Sequence, residues 1–376
     1  MSEPRLIDNG VIVALELDGQ TRRFHAQWLR DNAQDEATRS PVNGQRLITL
    51  LDIPPDTRIA EARWEGPVLR ARFEPESRWI GYDRAWLAAH CYDKPPPAAV
   101  GWTDEAIVRW DMAAAADVPV ESYAALRRDR HALCRWLETL RRYGFARATG
   151  APTESGTAEA VAALFGYVRE TNYGRTFDVQ NVVDAGNLAY TNLGLQAHTD
   201  NPYRDPVPGL QILVGIENDV EGGASLLVDG FKVAGRLQSE TPDSFALLAD
   251  YCARFAYAGT EGVRLHAKRP VIELGCDGEL IAIRFNNRSA APFTDIPFEV
   301  MGDYYAAYRH MATLIEDETL AFRFRLAPGD LFVIDNQRVL HAREAFSGTG
   351  SRWLQGCYVD RDGMLSTLAA LQEELV

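Results

Sequence analysis

The chain has 376 residues, with 39 Lys and Arg against 53 Asp and Glu, a formal net charge of -14 and a sequence pI near 5.0. Such a length predicts one large domain plus a smaller one with ample apolar material for a core, and the acidic balance argues against a phosphate-backbone partner, which needs a basic stripe to displace counterions. The five cysteines (Cys91, Cys134, Cys252, Cys276, Cys357) lack CxxC spacing and read as reduced thiols of a cytoplasmic protein; the early Glu3 and Asp8, with no long apolar run, predict neither a signal peptide nor a membrane span.

In chain order, residues 1–95 read as a small, mostly β unit. Segments 10–17 and 66–73 cluster β-favouring residues between turn residues, and Asp18-Gly19 suits a two-residue hairpin turn. Trp-Leu-Arg-Asp-Asn follows at 28–32. Three successive prolines in Lys-Pro-Pro-Pro-Ala-Ala (94–99) fix extended geometry and remove amide donors, so they mark the boundary, with the larger unit spanning 96–376.

The larger unit opens with helices. Leu126, Leu133, Leu137 and Leu140 share one helical stripe that ends near Gly144. Val161, Leu164, Phe165 and Val168 repeat the pattern, with Ser155 or Thr157 as N-cap. Thr241-Pro242 starts another helix, and Tyr304, Tyr308 and Met311 mark one more. Strand-like runs lie at 210–216, 224–228, 280–285, 331–334 and 352–359. The mixture predicts a β-sandwich or barrel buttressed by helices.

The chemistry concentrates in His198-Thr-Asp200. Alternation along an extended segment places the imidazole and the carboxylate on one side, where they could share a metal ion. A His-x-Asp pair alone arises freely on surfaces. A third ligand is available at His341, after the apolar strand 331–334 and the Asp335-Asn336 turn, hence at a strand end or loop. Two imidazoles and one carboxylate can occupy one face of an octahedron and leave three positions for substrate and O2, as in non-haem Fe(II) oxygenases. Eleven residues after His341 comes Arg352, suited to anchor an acidic co-substrate. By the period of two it shares a face with Leu354, Gly356, Tyr358 and Asp360. Against these roles stand a solvated surface cation for Arg352 and ordinary core for Tyr358.

The run 187–200, Pro-Gly-Leu-Gln at 208–211, Gly222-Gly223, Val-Asp-Gly-Phe at 228–231, and residues 332–343 and 355–360 together resemble the γ-butyrobetaine hydroxylase branch of the 2-oxoglutarate dioxygenases. Residues 28–32 are similar to the signature of that family's N-terminal domain. The resemblance implies a mainly β protein with flanking helices: a double-stranded β-helix (jelly-roll) catalytic domain plus a small β-rich N-terminal domain. It implies Fe(II) on His198, Asp200 and His341, 2-oxoglutarate held by Arg352 with Ser225 as a helper, and a homodimer. A guanidinium suits that task because its planar fork grips a carboxylate in two places. The resemblance also implies a trimethylammonium pocket of Tyr173, Phe177, Tyr190 and Tyr358, in keeping with a cation that cannot donate hydrogen bonds and is best held by aromatic faces. Asn187, Asn287 and Arg288 are candidates for the anion at the substrate's other end.

Two departures carry expectations of their own. Family members have a Cys-x-Cys-x-x-Cys run after the signature Asn, binding structural zinc; here Asn32 is followed by Ala-Gln-Asp-Glu-Ala, so no zinc site is expected and the unit must rely on packing, with Trp28, Trp64, Trp79 and Trp86 available. Asn201, Tyr203, Asn286 and Arg288 add donors and a cation beyond those usual for γ-butyrobetaine, which favours a more highly charged anion. The substrate expected from this is 2-(trimethylammonio)ethylphosphonate, with γ-butyrobetaine as the alternative; if Arg288 instead pairs with a local acid, that preference falls. A non-catalytic reader of methylated ammonium has no reason to carry His198, Asp200, His341 and Arg352 together. A taurine-type substrate, a primary amine, would want hydrogen-bond acceptors where the aromatics stand.

Overall fold

The computed structural model describes residues 2–95, 100–180, 194–347 and 350–375, and the chain divides into two compact units, Met1–Pro96 and Pro97–Val376.

In the first unit, strands Arg5–Ile7, Ile12–Leu17 and Gln20–His25 form one antiparallel sheet, and Arg58–Glu65, Val68–Glu74 and Arg78–Asp83 form another. Asp18 and Gly19 make the two-residue turn with φ of 50° and 76°, the left-handed geometry that lets a hairpin follow the strand twist. Phe24, Leu29, Ala33, Phe73 and Leu87 build the core, and Trp28, Trp64 and Trp86 pack on it. Trp79 does not: it is 37% exposed beneath the Arg63 guanidinium. The segment after the signature is tied by ion pairs. Buried Arg30 meets Glu76 through Nε and Nη2 at 2.6 and 2.9 Å, Arg78 pairs with Asp35, and Arg46 reaches Asp31 at 2.8 Å. Cys91 is buried in the core and His90 stacks on Trp86.

The second unit is a jelly roll. One sheet has the order Val120–Ser122, Phe145–Thr149, Leu331–Asp335, Leu210–Asn218, Arg352–Val359, Phe177–Gln180, antiparallel throughout except for its first pair. The other has the order Leu195–His198, Val339–Arg343, Ser225–Asp229, Ala321–Phe324. From Leu195 onward the chain passes back and forth between the two sheets. Leu213, Phe332 and Leu354 from one and Leu227, Phe322 and Val339 from the other pack between them. On the outer face of the larger sheet, Ile212, Val214, Val333 and Val359 meet helices Arg130–Tyr143 and Arg361–Glu374 through Trp136, Leu137, Leu140, Leu368 and Leu371. Being covered on both faces, these strands read as apolar runs rather than alternations. Helices Gly230–Glu240, Pro242–Asp250 and Met301–Ile315 form a further core with the strands of residues 252–283. No helix among the described residues is long and apolar enough to cross a membrane.

Several local expectations change. The stripe from Leu126 to Leu140 is two helices, Tyr123–Arg128 and Arg130–Tyr143, because Asp129 adopts extended φ/ψ and its carboxylate caps the second helix at the His131 amide. Helix Thr157–Ala162 is shorter than its apolar spacing and starts at Gly156 in left-handed geometry, with neither Ser155 nor Thr157 capping it. His341 lies mid-strand, since the turn at 336–338 is tight and the strand resumes at Val339.

That turn is anchored by a buried ion pair. Arg338 meets Asp229 through Nε at 3.0 Å and Nη2 at 2.8 Å, with side chains 2% and 0% exposed. Its remaining donors reach the carbonyls of Arg142 and Val108, and Asp229 also accepts the amides of Trp110 and Phe231. With every charge paired, the cluster is stable as a whole, but removing the carboxylate strands a guanidinium in the core. Asp229→Ala should therefore cost about 3–5 kcal/mol in denaturant unfolding; a loss below about 1 kcal/mol would mean that the pair is screened and not structural.

Candidate active site

His198 and His341 are directly paired across neighbouring antiparallel strands, with ring centroids 4.3 Å apart. Asp200 lies just past the end of the first strand. Its Oδ1 is 3.3 Å from His198 Nε2 and 3.8 Å from His341 Nε2, and one donor atom from each residue lies within 4.8 Å of the others. Among the described residues this is the one group of three or more His, Cys, Asp or Glu side chains so arranged.

The surroundings suit these atoms to a metal. His198 Nδ1 lies 2.7 Å from the Gln196 carbonyl, which can only accept, so the proton sits on Nδ1 and Nε2 keeps its lone pair. Burial, with His198 and Arg288 nearby, pushes the His341 imidazole down to about 3, so the ring is neutral near pH 7. Burial alone would raise the Asp200 carboxyl; its interactions with His341 and His198 and the hydrogen bond from Tyr358 outweigh it and hold the group below its usual range. Asp200 Oδ2 accepts Gln211 Nε2 at 2.6 Å and the Tyr358 hydroxyl at 2.8 Å, which leaves Oδ1 for a cation. Buried Asn336 fixes the Asp200 backbone from both sides, its Oδ1 accepting the amide at 2.6 Å and its Nδ2 donating to the carbonyl at 3.0 Å. Two imidazole nitrogens and one carboxylate oxygen on a fixed frame match the two-histidine, one-carboxylate set for non-haem iron.

A cavity of about 400 Å3 opens on the triad. At one part of its wall Ser225, Arg343 and Arg352 are all buried, and both guanidiniums lie over the Phe346 ring at 5.0 and 5.4 Å. Burial pushes each arginine down to about 10, still cationic near neutrality. Arg352 Nε is buried with no hydrogen-bond partner among the described residues. Elsewhere the wall is aromatic. Phe177 meets Tyr358 at 4.9 Å, and Tyr203 stacks on Tyr257 at 5.0 Å. The Tyr173 and Tyr203 hydroxyls are 3.1 Å apart, and Tyr203 donates to Asn201 Oδ1 at 2.6 Å. A Cβ at Gly356 would come within 2.5 Å of the Phe177 ring, so only glycine lets this aromatic wall close on the strand.

Arg288 reaches into the cavity, its Nη2 2.6 Å from His198 Nε2. A cation on that nitrogen needs the same lone pair, so metal binding requires the guanidinium to turn away. Asn287, one residue earlier, is exposed and engaged by the Tyr308 hydroxyl at 3.0 Å and by Gln196, and it is not part of the cavity wall; Asn286 is. Tyr358 serves partly as a hydrogen-bond donor to Asp200 rather than as an aromatic face alone. Asn187 and Tyr190 lie outside the described residues. Gln211, Tyr257, Ser289 and Arg343 also line the cavity, beyond the residues expected from sequence. Two of these had a signal: Arg343 shares the face of His341 by the period of two, and Gln211 sits in the quoted 208–211 run. Tyr257 and Ser289 had none, being brought together by the pairing of Cys252–Tyr257 with the non-consecutive strand Ala290–Ala291.

Comparison with known proteins agrees with this chemistry. The profile of the taurine catabolism dioxygenase TauD, TfdA family matches residues 107–358. The γ-butyrobetaine dioxygenase of Pseudomonas sp. (strain AK-1) is 36% identical over 94% of this chain and 92% of its own, and the human γ-butyrobetaine dioxygenase is 30% identical over 95% and 93%. The mitochondrial trimethyllysine dioxygenase of Mus musculus is 28% identical over 95% of this chain and 85% of its own. With a family match over most of the chain and near full-length relatives, the protein belongs to the TauD/TfdA dioxygenase family, in its γ-butyrobetaine dioxygenase-like branch, and is a 2-oxoglutarate-dependent non-haem iron dioxygenase.

Proposed function

We propose that the enzyme hydroxylates a C–H bond of a small trimethylammonium carboxylate, with γ-butyrobetaine as the first substrate to test. The observation that carries this is the near full-length likeness to relatives named for γ-butyrobetaine, together with a cavity that sets aromatic faces and a guanidinium on the same triad. The order of substrates expected from sequence is therefore reversed. Arg288 does line the cavity, but a guanidinium serves a carboxylate as well as a phosphonate, and no relative reported above is named for a phosphonate. The phosphonate remains the second reading because Arg288 has no carboxylate partner among the ion pairs of the described residues.

In this reading His198 Nε2, Asp200 Oδ1 and His341 Nε2 hold iron(II). Bound there with 2-oxoglutarate and O2, the metal supplies the oxidising chemistry of hydroxylation, with succinate and CO2 as co-products. The protein's own residues do the placing. Gln211 and Tyr358 keep Asp200 turned to offer one oxygen, and Asn336 keeps its backbone from shifting. Arg352, with Ser225 beside it, grips the distal carboxylate of 2-oxoglutarate. Tyr173, Phe177 and Tyr358 offer faces to the quaternary ammonium, while Asn201 and Arg288 receive the anion, so that one carbon is presented and water is kept out. The N-terminal unit is taken to work without zinc, on packing and ion pairs. A homodimer follows from the family resemblance, and five unpaired cysteines support a cytoplasmic setting.

Three outcomes are expected. His341→Ala should abolish stoichiometric Fe(II) binding in anaerobic equilibrium dialysis while leaving the unfolding midpoint near wild type; unchanged binding would place the metal elsewhere. Tyr358→Phe, which removes one of two donors to Asp200, should weaken Fe(II) about 10–100-fold, and an unaltered affinity would show that Gln211 alone orients the carboxylate. Succinate formation should be coupled to γ-butyrobetaine and fall on Arg288→Ala. Tighter coupling to 2-(trimethylammonio)ethylphosphonate would restore the phosphonate reading.

A further inference from the structure

Segment 286–289 is a turn built by one side chain. Asn286 is 5% exposed; its Nδ2 donates to the Thr199 carbonyl at 3.0 Å, and its Oδ1 accepts the amides of Arg288 and Ser289 at 3.1 and 3.2 Å. This ties the turn to the residue between His198 and Asp200, and it brings Arg288 and Ser289 to the cavity. The Ser289 backbone is satisfied, since its carbonyl also accepts the Ala256 amide at 2.9 Å. Its Oγ is buried and has no hydrogen-bond partner among the described residues. Asn201 Nδ2, on the same cavity wall, is in the same condition, while Asn201 Oδ1 is taken by Tyr203. Asn201 holds φ at +52°, a left-handed backbone conformation, and the Tyr203 hydroxyl bound to its Oδ1 sets the direction of its side-chain amide.

Buried donors are nearly always paired in folded proteins. Two left open beside the Arg288 guanidinium point to a ligand that brings the acceptors. A quaternary ammonium offers none, and the distal carboxylate of 2-oxoglutarate has its own basic wall on the strands of Ser225, Arg343 and Arg352. We propose that Ser289 Oγ is a specificity residue which, with Asn201 Nδ2 and Arg288, binds the anionic end of the substrate, an oxyanion of carboxylate or phosphonate type. This rests on the betaine reading above.

The test uses full-length iron-loaded enzyme and Ser289→Ala. For wild type, KM is measured with γ-butyrobetaine and with 2-(trimethylammonio)ethylphosphonate. Affinity for propyltrimethylammonium, which has the cation and no anion, is measured by titration calorimetry and compared with that for γ-butyrobetaine. The variant should raise KM for the anionic substrate about tenfold or more, leave KM for 2-oxoglutarate unchanged, and bind propyltrimethylammonium as wild type does; Ser289→Thr, which keeps a hydroxyl, should recover part of the loss. Equal losses for the anionic and anion-free cations would reveal a structural role and overturn the proposal, as would an unchanged KM, in either case with the betaine reading intact. If wild type turns over neither zwitterion, the betaine reading fails and the assignment of Ser289 fails with it.

Discussion

Asn336 is fully buried, and its amide holds backbone on both sides of the cavity floor: the NH and CO of Asp200 and the carbonyl of Pro208. Two residues later in the same turn, Arg338 is locked to Asp229. Three residues beyond that, His341 enters the strand that pairs with His198. The turn at 335–338 thus fixes the carboxylate ligand by hydrogen bonds and the two imidazoles by strand register. A one-residue slip of either strand would send an imidazole to the opposite face. The capacity of these residues to hold a metal depends on this more than on any single contact, because a facial set works only if three atoms from two strands and a loop stay close to one arrangement.

The cavity is also defined by its charge. Arg288, Arg343 and Arg352 line it, against one ionised carboxylate, Asp200. Burial lowers the affinity of Arg343 and Arg352 for their protons, which means that the folded protein holds them at a cost that a bound anion relieves. An acidic protein with a basic pocket of this kind suits dianionic 2-oxoglutarate and the anionic head of a second ligand. The phenols of Tyr173, Tyr203 and Tyr358 are all pushed up by burial, that of Tyr203 to about 12, so they remain neutral donors and aromatic faces at physiological pH.

How far the sequence could be read follows from where each signal is stored. That the triad and Arg352 meet at one cavity was legible because each residue's chemistry is written locally and the period of two within a strand relates Arg352 to Tyr358. Apolar runs gave the strands for the same reason. Tertiary hydrogen bonding decided what periodicity could not. Asn286, by folding back on the amides of Arg288 and Ser289, turns Arg288 inward and leaves Asn287 outside, although the two asparagines are indistinguishable in sequence. Asp129 splits an apolar stripe into two helices by capping the second. Tyr257 and Ser289 enter the site through the pairing of Cys252–Tyr257 with Ala290–Ala291, a contact between segments with no metal motif.

The central claim is that one Fe(II) sits on His198, Asp200 and His341 with 2-oxoglutarate directed at Arg352. Anomalous diffraction at the iron edge, from crystals grown without oxygen in Fe(II) and 2-oxoglutarate, tests it most directly. The account predicts a single iron peak bonded to His198 Nε2, Asp200 Oδ1 and His341 Nε2, the distal carboxylate on Arg352, and the Arg288 guanidinium turned off His198. Iron bound elsewhere, or a dicarboxylate that avoids Arg352, would contradict it.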